Sequence, residues 1–402
     1  MARKLNDWLT AYMAYTAETE SSRIFNKWVG LSAIASCLRR KVWFNFGRIK
    51  LCSNMFVVLV AEPGTARKTQ AIGYAEDLLA EIPGVIISAD CMTPQALIDD
   101  LEKAKMDDQL PNGEMFPHNS LSIISGEFES FIGSKKENSR MITALTDFFD
   151  CKTRPFKYRT KHSGSNVVDA VFLNLLAATT PDSLANALPY TAIGGGLTSR
   201  IIFIWNEGKG KKVDVPEWSQ ELEDLKCVLI HDLSIISRIA GGYDFTTDSR
   251  AWWRDWYMSF DEKDKNRICK DPAFNGWYAR KPTFIIKLAQ IVSASESSVM
   301  NITTKGFERS VTIIEEAEIY MSRTFSAIGR STVTADVDLV IQVVKQHKVI
   351  SEKTLMHIIW RDVDSNKFDN VMGTVLKAGF VKRYYKGPKG EPGIWYAWEP
   401  RE

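Results

Sequence analysis

Residues 57–69 read VVLVAEPGTARKT. Val57 to Val60 are a short run of branched apolar residues, the composition of a buried strand. Ala61 to Ala66 are small, bent or polar, and Arg67, Lys68 and Thr69 follow. Ala71, Ile72, Ala75, Leu78 and Leu79 then recur at helical spacing. Strand, tight loop, Lys-Thr, helix is the order of a phosphate-binding loop, where backbone N–H groups and a helix N-terminus meet the phosphate charge. In that reading Gly64, Thr65, Ala66 and Arg67 form the cradle, Lys68 reaches the β and γ phosphates of ATP, and the Thr69 hydroxyl holds Mg²⁺. The pattern G-x-x-x-x-G-K-[ST] has the right length counted from Glu62, but Glu62 and Arg67 fill its two glycine positions. The same residues also suit a strand-to-helix turn that happens to end in Lys-Thr.

The bulk composition sets the class. A chain of 402 residues has room for two to four units. Hydrophobic residues at 45% and charged residues at 25% are ordinary for a globular protein. A formal net charge of +2 means that any nucleic-acid site must come from local clustering. The six Cys and five His are scattered without a C-x-x-C pair, so neither a metal site nor a disulfide framework is expected, and reduced thiols are. MARKLNDWLTAY lacks an apolar core, so no signal peptide is expected, and no uncharged apolar run reaches the roughly 18 residues of a membrane span.

On the N-terminal side of the loop, Trp8, Leu9, Tyr12 and Met13 mark one helix, and Ile24, Trp28, Leu31, Ile34, Ala35 and Leu38 a second that Ser21 or Ser22 can cap. Together they read as a small helical collar over residues 1–40. Lys41 to Phe46 alternates as a strand. Beyond the loop, Val85 to Ser88 reads as a second buried strand, Thr93-Pro94 opens a helix, and polar residues 104–119, with Pro-Asn-Gly at 111–113, read as an exposed loop. Strand, helix, strand, helix is the rhythm of a parallel sheet with helices on its faces.

Leu121 to Phe128, LSIISGEF, is an apolar strand ending in an acid. A carboxylate there stands beside the phosphates, where it orients Mg²⁺ and the attacking water, which makes Glu127 the candidate for both roles. The usual partner Asp is Gly126 here, so the metal would rest on Thr69, Glu127 and water, with Ser125 as a further candidate. A strand-end Glu facing solvent is the plain alternative. Between Lys152 and Lys161 there are five cations and no acid, with Phe156 and Tyr158 interleaved and a turn at His162-Ser163-Gly164. This is a β-hairpin with a basic tip. Lys157, Arg159, Lys161 and His162 suit a single-stranded nucleic-acid backbone, and they also suit a solvated edge hairpin. Phe172 to Ala177 is a further apolar strand, after which Thr180, ahead of Thr179 as second candidate, is placed next to the γ-phosphate or caps the helix that Pro181 begins. Arg200 stands between a glycine run at 194–196 and the strand Ile201 to Trp205. It is either a surface Arg or an arginine finger for a neighbour's nucleotide.

From about residue 216 the chain reads as helical and Trp-rich, with Pro282 in the first turn of the helix after Arg280. Residues 328–336 are polar enough for a linker. The last segment carries three helical patterns and a hairpin around Lys386-Gly387-Pro388-Lys389-Gly390, the plan of a winged helix that serves DNA and protein contacts equally well.

Taken together, NKWVGLSAIASCLRRKVWFNFG, PGTARKT, IISGEFESF, LAATTPDSL, GGGLTSR and ARKPTFIIKLA resemble the phage and mobile-element replication helicases, AAA+-like ATPases close to the superfamily-three helicases. The resemblance runs from about Phe25 to Thr324. It implies an α/β fold with a three-layer P-loop core of the AAA+/RecA-like kind over residues 41–215. A collar over 1–40, a helical lid over 216–330 and a winged helix over 331–402 would complete it. It also implies ATP and Mg²⁺ as cofactors, with Lys68, Thr69 and Glu127 as Walker residues, Thr180 as first sensor, Arg200 as arginine finger and Arg280 as second sensor. Lys161-His162 would be the DNA-gripping tip. The expected partners are single-stranded DNA, duplex origin DNA and further copies of the chain in a homo-hexamer. The expected location is the cytoplasm of a bacterial host, away from any membrane. Gly126 keeps an origin-binding initiator or helicase loader open as the alternative. A transcription regulator with an ATPase switch is disfavoured by the basic hairpin.

Overall fold

A computed structural model describes residues 2–88, 91–133, 138–160, 164–188, 195–215, 217–261, 267–271, 274–324, 332–359, 363 and 365–399. The chain divides into two compact units, Met1–Ala327 and Ile328–Glu402.

The first unit begins with α1 (Trp8–Tyr15) and α2 (Arg23–Leu38), strands β1 (Val42–Phe46) and β2 (Ile49–Cys52), and then β3 (Phe56–Val60), which enters the glycine-poor loop. α3 (Lys68–Ala80) leaves that loop, followed by α4 (Pro94–Lys103), the hairpin β4 (Lys105–Gln109) and β5 (Met115–Ser125), α5 (Phe128–Ile132) and α6 (Ser139–Phe149). The second hairpin is β6 (Phe156–Thr160) and β7 (Gly164–Val168); β8 (Val171–Thr179), α7 (Pro181–Ala187) and β9 (Ile201–Trp205) follow. The remaining elements are α8 (Gln220–Ile236), β10 (Gly241–Phe245), α9 (Thr247–Ser259), α10 (Asn275–Tyr278), α11 (Lys281–Glu296), β11 (Asn301–Ile302), α12 (Thr304–Glu318) and α13 (Met321–Thr324).

The central sheet has the order β4-β5-β8-β3-β9. β3 lies parallel to both neighbours, with Val60 opposite Thr179 of β8 and Trp205 of β9, and β5 runs parallel to β8. Every residue of β3, β8 and β9 is buried, as strands covered on both faces require. The expected buried strand at 85–88 is instead one parallel bridge, Ile87 to Ser122, with Ser88 N donating to Ser122 O at 2.9 Å. It has a partner on one side, so Ile86 stays 37% exposed. In chain order the connection out of β3 leads towards 86–88 and that out of β8 leads past β3 to β9. Adjacent strands whose connections part in this way open a crevice at their carboxyl ends, where α/β sheets bind ligands.

Residues 104–119 are not a loop. They form β4 and the first half of β5, turning where Gly113 N donates to Leu110 O at 2.9 Å and Gly113 takes φ +84°. β4 is KMDDQ with alternate residues exposed, a polar edge strand whose composition hides it among loop sequences. A second sheet, β11-β10-β1-β2, joins the N-terminal strands to the region read as helical. β10 pairs in parallel with β1, Gly242 opposite Trp43. A Cβ on Gly242 would meet the Trp43 indole nitrogen at 3.2 Å, and Gly241 sits at φ +125°. Gly241 thus serves the backbone conformation and Gly242 the close approach of the indole, and together they mask β10 as a strand in the sequence. α2 lies against β3, β8, β9 and α3. Buried Asn174 of β8 fixes it there, donating to Ser32 Oγ at 2.9 Å and Ser36 Oγ at 3.0 Å while accepting from Met55 N at 2.8 Å.

In the second unit, α14 (Thr332–His347), β12 (Val349–Ser351), α15 (Glu352–Ile359), α16 (Ser365–Ala378), β13 (Val381–Lys386) and β14 (Pro392–Trp398) surround a core of Val340, Val344, Leu355, Val371, Val375 and Tyr396. The sheet is antiparallel with the order β12-β14-β13. Gly379 closes α16 at φ +77°. α14 starts at Thr332, inside the stretch expected to be a linker. Among the described residues no helix is long and apolar enough to cross a membrane.

Candidate functional site

The loop between β3 and α3 takes its shape from the backbone. Gly64 sits at φ +72° and Arg67 at φ +52°, whereas Glu62 has no positive φ. The second glycine of the phosphate-loop pattern is thus replaced by an Arg that keeps the left-handed conformation, while the first position never needed a glycine. Thr65 Oγ1 donates to Glu62 O at 2.8 Å and Thr65 N to the same oxygen at 3.3 Å, which tightens the turn. Arg67 is also the residue before the first turn of α3, with no side-chain cap beneath it. Its guanidinium turns outward to Glu20, Nε at 2.8 Å and Nη2 at 2.7 Å from Oε2. Lys209 and Arg67 together hold the Glu20 carboxyl down to about 2.

Lys68 folds back over the loop, Nζ donating to Ala61 O at 2.7 Å. Burial draws its ammonium below the usual lysine range, against the opposing fields of Glu127 and Glu62. Glu127 is exposed at the mouth of β5, with its own N–H donating to Ser125 Oγ at 3.3 Å. Thr69 is exposed, and its methyl lies 3.9 Å from where a Cβ on Gly126 would be. Lys68, Thr69 and Glu127, distant in sequence, are therefore brought to one edge of the sheet. A hydroxyl and one exposed carboxylate beside an open backbone turn fit Mg²⁺ carried by a phosphate ligand, since that ion keeps several waters and takes few protein groups. Among the described residues no cluster of three or more His, Cys, Asp or Glu is placed to hold a metal by itself.

Thr180 follows β8, and Thr179, the last residue of that strand, pairs with Val60 immediately before the loop. Ala61 N also donates to Thr179 O at 3.4 Å. The Thr180 hydroxyl accepts from Ser183 N at 3.1 Å and caps α7, so its capping use is present in the structure, and its O–H remains able to donate.

Arg200 and Arg280 belong elsewhere. Arg200 is not a projecting surface residue. Its side chain is 11% exposed and grips Asp150 in a fork, Nε to Oδ1 at 3.3 Å and Nη2 to Oδ2 at 3.0 Å, with Nη1 donating to Gly196 O at 2.7 Å. Arg280 precedes α11 and donates to Gly276 O at 3.3 Å. Burial and then the nearby Arg200 charge lower its pKa, with Asp150 opposing. Both arginines line a cavity of about 610 Å³ with Asp150, Lys50, Lys152, Arg154 and Lys287. The Lys68 cluster does not line this cavity.

In the hairpin, Lys157 and Arg159 are exposed on one face and Phe156 and Tyr158 half-buried on the other. Phe156 packs edge-on against Phe148 with centroids 4.7 Å apart, so it anchors the hairpin and is not a free platform for a base. Lys152 is paired with Asp147. Lys161 and His162 lie outside the described residues, as does Gly194. No known protein-family profile matches this chain, and no curated protein sequence does.

Asp150 and Glu20 were not legible as site residues. Each meets its arginine across about fifty residues of chain, and a lone acid after Phe149 or in a Thr/Glu-rich turn carries no local signature.

Proposed function

We propose that this chain is an ATP-dependent DNA helicase or translocase of the phage or mobile-element replication type, an AAA+-like P-loop ATPase working as a homo-hexameric ring. The observation that carries the reading is the meeting of Lys68, Thr69 and Glu127 at the carboxyl ends of parallel strands β3 and β5, on a loop that keeps its left-handed step at Arg67.

In this reading the backbone of Gly64 to Arg67 and the helix start cradle the triphosphate. Lys68 exchanges the Ala61 carbonyl for phosphate oxygens. Thr69 and Glu127 hold Mg²⁺, which neutralises charge on the transferring phosphoryl group when bound. Glu127 also orients the attacking water, and Thr180 O–H donates towards the γ-phosphate. Arg200 and Arg280 act on the nucleotide of the adjacent subunit, with Asp150 holding the Arg200 guanidinium in a defined plane until a phosphate replaces it. The 156–168 hairpin supplies Lys157 and Arg159 to the backbone of single-stranded DNA. The second unit is read as a winged helix.

Gly126 favours a second reading, a loader or initiator that binds ATP and turns it over slowly, because its missing carboxylate is one that most hydrolysing sites use to position the metal. Strand displacement separates the two. Under the helicase reading, ATP drives unwinding, and Lys157→Ala with Arg159→Ala removes it while basal hydrolysis stays. The same double variant lowers the log–log salt slope of single-strand binding by about 1.4, or roughly 0.7 per lost contact. ATP turnover without unwinding by the unaltered chain would move the assignment to the loader.

A further inference from the structure

Arg40 and Lys287 are buried cations, 1% and 2% exposed, and among the described residues neither has a carboxylate within ion-pair distance. Arg40 Nη1 donates to Cys52 Sγ and its Nη2 to Cys151 O at 2.7 Å. Lys287 Nζ donates to Asn54 O at 3.1 Å and to Asn54 Oδ1, and it lies 4.2 Å from the Phe149 ring centre. Buried charge is retained where an opposite charge balances it. The groups here able to carry that charge are two thiols, Cys52 and Cys151, packed in one cluster with Trp43 and Phe172. Asp150 reaches Lys287 only through its longer-range field and is already engaged by Arg200.

We propose that Cys52 is a thiolate held by Arg40 and Lys287, and that with Cys151 it forms a peroxide-reactive dithiol opening onto the 610 Å³ cavity. Against the penalty of burial, the neighbouring Cys151 thiol and the Arg40 and Lys287 charges hold the Cys52 thiol well below the usual cysteine range, while burial and the Cys52 charge keep Cys151 protonated, its S–H donating to Asn54 Oδ1 at 3.3 Å. Both side chains line or border the cavity, which is the route for a small hydroperoxide. The Cys52 sulfur attacks the peroxide: an S–O bond forms, the O–O bond breaks, and the departing hydroxide takes up a proton to become water. Cys151 then gives up its proton and attacks the sulfenic sulfur. An S–S bond forms, the S–O bond breaks and a second water leaves. Two thiols lose two electrons to one peroxide. This chemistry does not depend on the ATPase reading.

The test uses the full chain. Brief alkylation with iodoacetamide is followed by peptide mass analysis between about pH 8.5 and about pH 6. Free cysteine, run as a reference in the same solution, slows by roughly 100-fold over that range, whereas Cys52 slows by no more than a few-fold. Cys37, buried and pushed up to about 12, stays unmodified and controls for unfolding. Hydrogen peroxide then gives a Cys52–Cys151 cross-linked peptide that a dithiol reductant reverses. In Cys151→Ser protein, a cyclic diketone traps sulfenic acid at Cys52. The proposal is overturned if Cys52 follows the pH profile of free cysteine, if it stays as inert as Cys37, or if peroxide links other cysteines and not this pair. The unaltered chain alone decides the first two, so a misfolded variant does not protect the proposal.

Discussion

Arg67 shows how a local rule can hold in the backbone and fail in the letters. Its φ of +52° is the left-handed step that a glycine normally supplies, and a side chain there costs about 1 kcal/mol. Glu20 answers the Arg side chain, but an exposed pair of this kind offsets little. Arg67→Gly is therefore expected to raise stability by about 1 kcal/mol in denaturant unfolding and to keep nucleotide binding. A loss of stability would mean that the Glu20 contact outweighs the strain. At Thr180 the observed cap and the proposed phosphate contact would share one hydroxyl. Thr180→Ala should lose about 1 kcal/mol from the α7 cap and lose ATP turnover, while Thr180→Ser restores both. If the Ala variant loses stability alone, Thr180 is a cap and nothing more. The sequence allowed both uses because the β-strand end and the helix start fall on the same residue.

At the scale of elements, the apolar runs β3, β5, β8 and β9 were legible because strands buried on both faces need no alternation. β4 was not, because its exposed face is charged and its buried contacts come from across the hairpin. Those contacts carry a pH signature. His118, fully buried on β5, shares a proton with Asp108 Oδ2 at 2.9 Å and meets Ser120 Oγ at 2.9 Å, while Arg39 and Lys41 also reach Asp108. Burial lowers the His118 pKa, with Arg39 and Lys41 acting in the same direction and Asp108 against it. The unfolded chain therefore takes up a proton below about pH 6.5 that the fold refuses, and stability falls as pH drops below that point. Chemical unfolding at about pH 7 and about pH 5 should show a smaller loss for His118→Gln than for the unaltered chain. An equal loss would place the acid-sensitive group elsewhere. Cys52 acts in a higher window. Its depressed pKa makes its contribution complete above the unfolded value of 9.0 and lost as pH falls through the lower folded value, so Cys52→Ser should flatten the pH dependence of stability below about pH 9.

For the whole molecule, the division at Ala327–Ile328 gives each part its own core, and residues 1–327 and 328–402 are each expected to unfold cooperatively when produced alone. If residues 1–327 still bind single-stranded DNA, the hairpin is the grip; if binding is lost with the second unit, the initiator reading gains. The homo-hexamer rests on resemblance alone, since Arg200 itself is engaged by Asp150 at the rim of a cavity. A mixture of Lys68→Ala and Arg200→Ala proteins, each inactive, should recover turnover where an intact loop meets an intact finger. The absence of rescue in well-mixed assemblies would remove the trans role. Beneath all of this stands the proposal that residues 62–69 cradle the phosphates of ATP, and ATP hydrolysis by folded Lys68→Ala protein tests it most directly. Turnover should fall by at least about 100-fold with the thermal melt unchanged; hydrolysis at the rate of the unaltered chain would contradict the phosphate-binding role of Lys68.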